Sequence, residues 1–151
     1  MELSDELLIP APRGRVYTAL QDPEILRLCI PGCEELTRLS DTELEAKVVL
    51  KIGPVKARFS GRVTLAPEAP PERFSLTGEG NGGVAGFAKG GAVVTLEERG
   101  EETLLRYEAR ADIGGKLAQL GSRLILGTAK KLAASFFEEF RRAVSSSPAI
   151  L

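Results

Sequence analysis

Residues 29 to 36 read CIPGCEEL, placing two thiols four residues apart with two carboxylates, Glu34 and Glu35, directly behind. Such a cluster could bind a metal or run redox chemistry. Structural zinc usually takes four thiolate or imidazole ligands, however, and the chain has only two cysteines and no histidine. Carboxylates could complete a site only as an unusual mixture. A disulfide between Cys29 and Cys33 is conceivable in geometry but disfavoured in the reducing setting expected for this chain. The remaining reading is structural: Pro31 and Gly32 form a turn, and the small apolar cysteines suit its buried flanks.

A second cluster, GEGNGG at residues 78–83, matches Gly-x-Gly-x-x-Gly. The dinucleotide fingerprint needs that loop to open a helix whose N-terminus receives the pyrophosphate. Here AGFAKGGAVVTLEE follows, which alternates as a strand does, so the match is a decoy. The segment reads either as a hairpin loop or as a lid at a cavity mouth, with Val84 and Phe87 as its apolar tips.

The totals exclude much else. Without histidine there is no imidazole proton shuttle and no Ser-His or Cys-His nucleophile pair. Twenty basic and 21 acidic residues leave a net charge of −1, too little for a global attraction to nucleic acid. MELSDELLIPAP lacks the basic start and apolar core of a signal peptide, and no apolar run is long enough to span a bilayer, so a cytoplasmic location is expected. At 151 residues the chain fits a single domain, expected over 1–145, with residues 146–151 as a flexible tail.

The elements that must position any site follow from periodicity. An opening strand is expected to end at Pro10 and Pro12. PRGRVYTALQDPEILRLCI then gives two short helices, the second capped by Asp22 with Pro23 in its first turn. From Glu43 the pattern alternates: Leu44, Ala46, Val48, Leu50 and Ile52 share one face. Gly53-Pro54 turns the chain into a second strand carrying Val55, Ala57, Phe59, Gly61, Val63 and Leu65. PEAPPE is read as a connection. Three further strands put Phe74, Leu76, Gly78 and Gly80, then Ala88 to Leu96, then Leu105 to Ile113, on the same side. Short loops predict a sequential antiparallel meander. From Lys116 to about Val144 the period lengthens to that of one long helix, giving an α+β class. Its two apolar stripes, Leu117-Leu120-Leu124 and Leu132-Phe136-Phe140, do not align on a wheel, and Gly121 and Gly127 lie between them. A change of environment is predicted there.

Among these inward positions glycine and alanine are frequent, which predicts either unfilled space or a helix seated close on the sheet. Tyr107 is the only inward ionisable group. A cavity here would therefore retain an apolar molecule rather than transform it. The candidate ligand contacts are Phe59, Phe74, Leu76, Phe87, Leu105, Tyr107, Ala109 and Ala111 from the sheet, with Leu117, Leu120 and Leu124 from the helix. The plain reading of each is ordinary core. Phenylalanine at Ala109 or Ala111 is expected to block such a cavity. No catalytic residue and no metal site is expected. Lys130, Lys131, Arg141 and Arg142 read as a solvated face offset by Glu138 and Glu139, or as a contact for acidic lipid or a partner.

Taken together, IPAPRGRVYTALQDPEIL, the CIPGCEEL turn, the KVVLKIGPVKARFSGRVTL hairpin and ADIGGKLAQLGSRLI resemble the CoxG family of carbon monoxide dehydrogenase, over nearly the whole chain. That family belongs to the START-like (SRPBCC) superfamily. The resemblance implies a helix-grip fold, with a curved antiparallel sheet of about six or seven strands around a long C-terminal helix. It also implies a non-catalytic accessory protein of a molybdenum hydroxylase that links the enzyme to the membrane. The implied partners are the hydroxylase subunits and a hydrophobic small molecule such as a respiratory quinone or other lipid, with no covalent cofactor and no nucleic acid. Some members carry an extension after the helix that can anchor them. This chain ends in SSSPAIL, which implies indirect or weak attachment at the inner face of the membrane, or a shortened form. Two alternatives are a START-like cyclase or hydratase, which would need carboxylates or tyrosines converging inside, and a docking module with a filled core.

Overall fold

The computed structural model describes residues 1–145, so the expected tail at 146–151 lies outside the described residues. The chain runs β1 (Glu2–Ile9), α1 (Arg13–Ala19), α2 (Pro23–Cys29), β2 (Cys33–Arg38), β3 (Glu43–Ile52), β4 (Val55–Ala69) and β5 (Arg73–Asn81). A single-turn helix at Gly83–Ala85 leads to β6 (Phe87–Arg99) and β7 (Glu102–Gly114). A 3₁₀ segment, Gly115–Leu120, precedes α3 (Ser122–Ser145). The strands form one seven-stranded antiparallel sheet in the order β1-β7-β6-β5-β4-β3-β2, a meander closed at its end by the first strand. With α3 gripped by the sheet, this is the helix-grip architecture.

Local chemistry explains the helix starts. Asp22 accepts a hydrogen bond from the Glu24 amide at 2.9 Å, and Pro23 occupies the first turn of α2, where a missing N–H costs nothing. α1 begins directly after Pro12.

Three elements differ from the sequence expectation. β2 has no counterpart in it, because half of the strand is charged. It is an edge strand with one neighbour, β3, and Glu34 and Glu35 point out to meet Arg58 at 2.9 Å and Lys47 at 3.3 Å. β4 continues through Pro67 to Ala69 rather than stopping at Leu65, absorbing the proline at a register shift between Pro67 and Ala69. Finally, the helix expected from Lys116 starts only at Ser122. Gly121 sits at φ +92°, a conformation no α-helix contains, so Leu117 and Leu120 belong to a separate segment. That break accounts for the two misaligned stripes.

Packing divides the interior in two. Toward one end Ile9, Val16, Phe74, Leu96, Leu105, Phe140 and Val144 form a closed core, and the buried Thr103 hydroxyl donates to the Ala11 carbonyl at 2.7 Å. Toward the other end the strands carry smaller residues.

Candidate functional site

The inward side chains shrink along the strands. At the closed end Leu96, Leu105 and Leu7 lie in one row across the sheet, followed by Phe74, Val94 and Tyr107. Two rows further on come Leu44, Val63, Gly78, Gly90 and Ala111, then Ala46, Gly61, Gly80, Ala88 and Ile113. These last two rows are too small to reach α3, which the larger residues hold at its height over the sheet.

The space left between is a hollow of about 540 Å³. β3 lines it with Ala46, Val48, Leu50 and Ile52, and β4 with Phe59, Gly61 and Val63. α3 supplies Ile125, Thr128, Ala129, Leu132, Ala133 and Phe136. Leu117, Met1, Ile30 and Pro31 complete the wall with Gly80, Ala88, Ala111 and Ile113. Among the described residues on this wall no side chain is ionisable, and Thr128 supplies the one hydroxyl. The volume suits a small to mid-sized organic ligand, and the chemistry offers it apolar contact with a single hydrogen-bonding side chain. No side chain on the wall can donate or remove a proton near neutral pH.

A second crevice of about 900 Å³ lies between β1 and α3 and carries Asp5, Lys130, Glu138, Arg141 and Arg142. Its charges of both signs make it a solvated groove. Tyr107 belongs to this side: its ring stacks on Phe137 at 5.4 Å, off the apolar wall. Burial, and then the Asp5 carboxylate, push its phenol above the ordinary value, so it stays neutral at physiological pH.

Of the residues expected to contact a ligand, Phe59, Ala111 and Leu117 lie on the wall. Phe74 and Leu105 are fully enclosed in the closed core, and Leu76 packs against it. Ala109 sits between Ala92 and Leu3, away from the wall. Phe87 is half exposed, beside Gly114 at the end of the sheet. Leu120 is partly buried off the wall, and Leu124 is exposed against the Gly53 turn. Large aromatic and leucyl side chains are the ones that fill space, whereas the wall is made mostly where side chains are small. The helix positions Ile125, Thr128, Ala129 and Ala133 escape a sequence reading because a helical register carried through Gly121 differs from one that starts at Ser122.

The glycine-rich segment turns between strands: the Gly82 amide donates to the Gly86 carbonyl at 2.8 Å, and the Asn81 side chain accepts from the Gly83 amide at 2.8 Å. Apart from the strand ends, residues 81–87 lie off the wall of the hollow. In CIPGCEEL both thiols are free. Burial, and secondarily the Glu139 carboxylate, push Cys29 up to about 11, while Cys33 is half-buried and donates to the Glu35 carbonyl at 3.4 Å. A thiol so raised is a poor nucleophile. The turn's contribution to the site is Ile30 and Pro31, which face the hollow.

A family model described as the carbon monoxide dehydrogenase subunit CoxG matches residues 6–145. No curated protein matches by sequence. Among solved structures, a conserved protein from Geobacillus kaustophilus superposes with a TM-score of 0.91 at 29% identity, covering 97% of each chain. A START superfamily protein from Mycobacterium smegmatis gives 0.76 at 12% identity, covering 97% of this chain and 99% of that one. The Zhui aromatase/cyclase from Streptomyces sp. R1128 gives 0.70 at 9%, covering 96% and 93%. At such identities the last two report the fold alone, and that fold is START-like.

Proposed function

The chain belongs to the CoxG family of carbon monoxide dehydrogenase, and from that premise we propose that it is a non-catalytic accessory protein of a molybdenum hydroxylase of the carbon monoxide dehydrogenase type. In this reading it holds a hydrophobic ligand such as a respiratory quinone and links the enzyme to the membrane. The observation that carries the proposal is the hollow of about 540 Å³ without an ionisable side chain. Electrons leaving a water-exposed oxidoreductase must reach a carrier that resides in lipid, and a dry cavity can shelter such a carrier. Covering apolar ligand surface contributes about 25 cal/mol per Å², so useful affinity needs no covalent attachment. Among the described residues no helix is long and apolar enough to cross a membrane. Contact with the bilayer in this reading is therefore peripheral for this domain.

A cyclase or hydratase reading would draw on the fold shared with the Streptomyces aromatase/cyclase. It needs an acid or base in contact with substrate, and the side chains of the wall offer only the Thr128 hydroxyl. Organic extraction of the purified protein followed by mass spectrometry tests the proposal. An isoprenoid quinone or another lipid in stoichiometric amount is expected. A polar aromatic product would favour an enzyme, and an empty protein that also fails to bind ubiquinone-1 or menadione would leave a docking module.

A further inference from the structure

Three turns and the start of α3 meet at the end of the molecule away from the closed core. The β3–β4 turn approaches the helix so closely that a Cβ on Gly53 would lie 2.8 Å from Leu124, and a Cβ on Gly115 would lie 2.6 Å from the Gly86 backbone. On this end Val84 is 88% exposed, Phe87 51% and Leu124 38%, an unusual concentration of bare apolar side chains. The charges here share one sign. No aspartate or glutamate occurs between Glu45 and Glu68, between Glu79 and Glu97, or between Asp112 and Glu138, the stretches that supply all three turns and the first half of α3.

Lys51 and Lys56 stand directly opposite each other across the β3–β4 hairpin, and Lys116 and Arg123 flank the Gly121 break. Among the described residues none of these four has an ion-pair partner, although outward charges elsewhere on the sheet are extensively paired. Like charges facing each other across a strand pair are destabilising, so the arrangement calls for an external anion. In a chain of net charge −1 this is local segregation, not overall basicity. Residues of the hollow are interleaved with this surface: Ile52 precedes the turn, Leu117 follows Lys116, and Ile125 follows Leu124.

We propose that this end docks on an anionic phospholipid bilayer, with Val84, Phe87 and Leu124 entering the interface and Lys51, Lys56, Lys116 and Arg123 meeting lipid phosphates. The proposal rests on the ligand-carrier reading for its purpose, since it sets the hollow against the compartment where a hydrophobic ligand resides, but it has its own physical grounds. Basic groups near an anionic leaflet each strengthen binding, and exposed apolar side chains add insertion.

Co-sedimentation with vesicles of phosphatidylcholine alone, or with about one-third phosphatidylglycerol, tests it. The protein should pellet with the anionic vesicles only and be released as salt rises from about 0.05 to 0.5 M. The double variants K51E/K56E and K116E/R123E, and Val84→Asp at a site with no packing role, should each lower partitioning at least about tenfold. In solution, all three should bind the apolar fluorophore 1-aminoanthracene as the unaltered protein does. Equal binding to both vesicle types, or variants that partition normally, would overturn the proposal. Failure to bind either vesicle would also overturn it and would assign the basic end to an acidic protein surface. If vesicle docking holds while 1-aminoanthracene is not bound, the docking stands and the carrier reading falls.

Discussion

The Gly32 carbonyl accepts a hydrogen bond from the Val49 amide at 2.9 Å, and a Cβ on Gly32 would stand 2.1 Å from the Val49 carbonyl oxygen. The Pro31-Gly32 turn is thus pressed backbone to backbone onto β3, with Gly32 at φ +76°. Val48 and Leu50, on either side of Val49, face the hollow together with Ile30 and Pro31. The tight turn therefore sets one wall of the site.

Gly32→Ala should consequently damage both stability and site. The added methyl meets backbone that cannot swing aside, and the left-handed conformation is itself unfavourable for alanine. A loss of about 2 to 4 kcal/mol is expected by urea denaturation. Binding of 1-aminoanthracene should weaken even in conditions where the variant is folded. Unchanged stability would mean that the turn does not hold this close approach.

The hollow itself is tested by filling it. Ala111 lies on the wall, whereas a Cβ on Gly80, another wall position, would meet no neighbour nearer than the Ser60 carbonyl at 3.9 Å. Ala111→Phe and Gly80→Val should therefore lose ligand binding, and Gly80→Val should keep its stability within about 1 kcal/mol because valine suits a strand better than glycine. Ala109→Phe, off the wall, should instead cost about 1 to 3 kcal/mol through overpacking. Equal behaviour of the Ala109 and Ala111 variants would argue against a cavity bounded as described.

Burial of Cys29 predicts an alkaline sensitivity. Its thiol is raised from an ordinary 9.0 to about 11 in the folded chain, so above 9.0 the unfolded chain has shed a proton that the folded chain still holds. Stability from this group is complete below pH 9.0 and is lost as pH rises through about 11. Tyr107, also raised, acts in the same direction. The fall in Tm between about pH 9 and 11 should be shallower in Cys29→Ala than in the unaltered protein, and native Cys29 should alkylate far more slowly than Cys33 at about pH 8.

The sheet is legible in the sequence because its strands alternate strictly, and alternation assigns a face to each side chain before any contact is known. Ala46, Gly61, Gly80 and Ala88 fall on the inward face by that rule alone; their alignment into one row across four strands is not readable, since register depends on turn geometry. β2 is hidden because an edge strand with one partner need not alternate. The helix reads one segment too long because Gly121 is compatible with a tolerated helical glycine until its φ is known. Phe74 and Leu105 look like ligand contacts in a sequence, but only the packing shows that neighbours have already covered them.

Thr128 offers the sharpest test of what the hollow holds. It is the one hydroxyl on the wall, on the α3 face between Ile125 and Leu132, and among the described residues it makes no side-chain hydrogen bond. An apolar ligand gains nothing from it. A ligand with a carbonyl oxygen can accept from it in a dry setting, where one neutral hydrogen bond contributes about 0.5 to 1.5 kcal/mol, or about two- to twelvefold in affinity. Thr128→Val keeps the shape and removes the donor. For a quinone-type ligand the variant should bind ubiquinone-1 several-fold more weakly while binding a pure hydrocarbon such as anthracene as well as before. If both ligands weaken together, the substitution has disturbed packing. If neither changes, the hydroxyl faces no ligand oxygen, and selectivity in this hollow comes from shape alone.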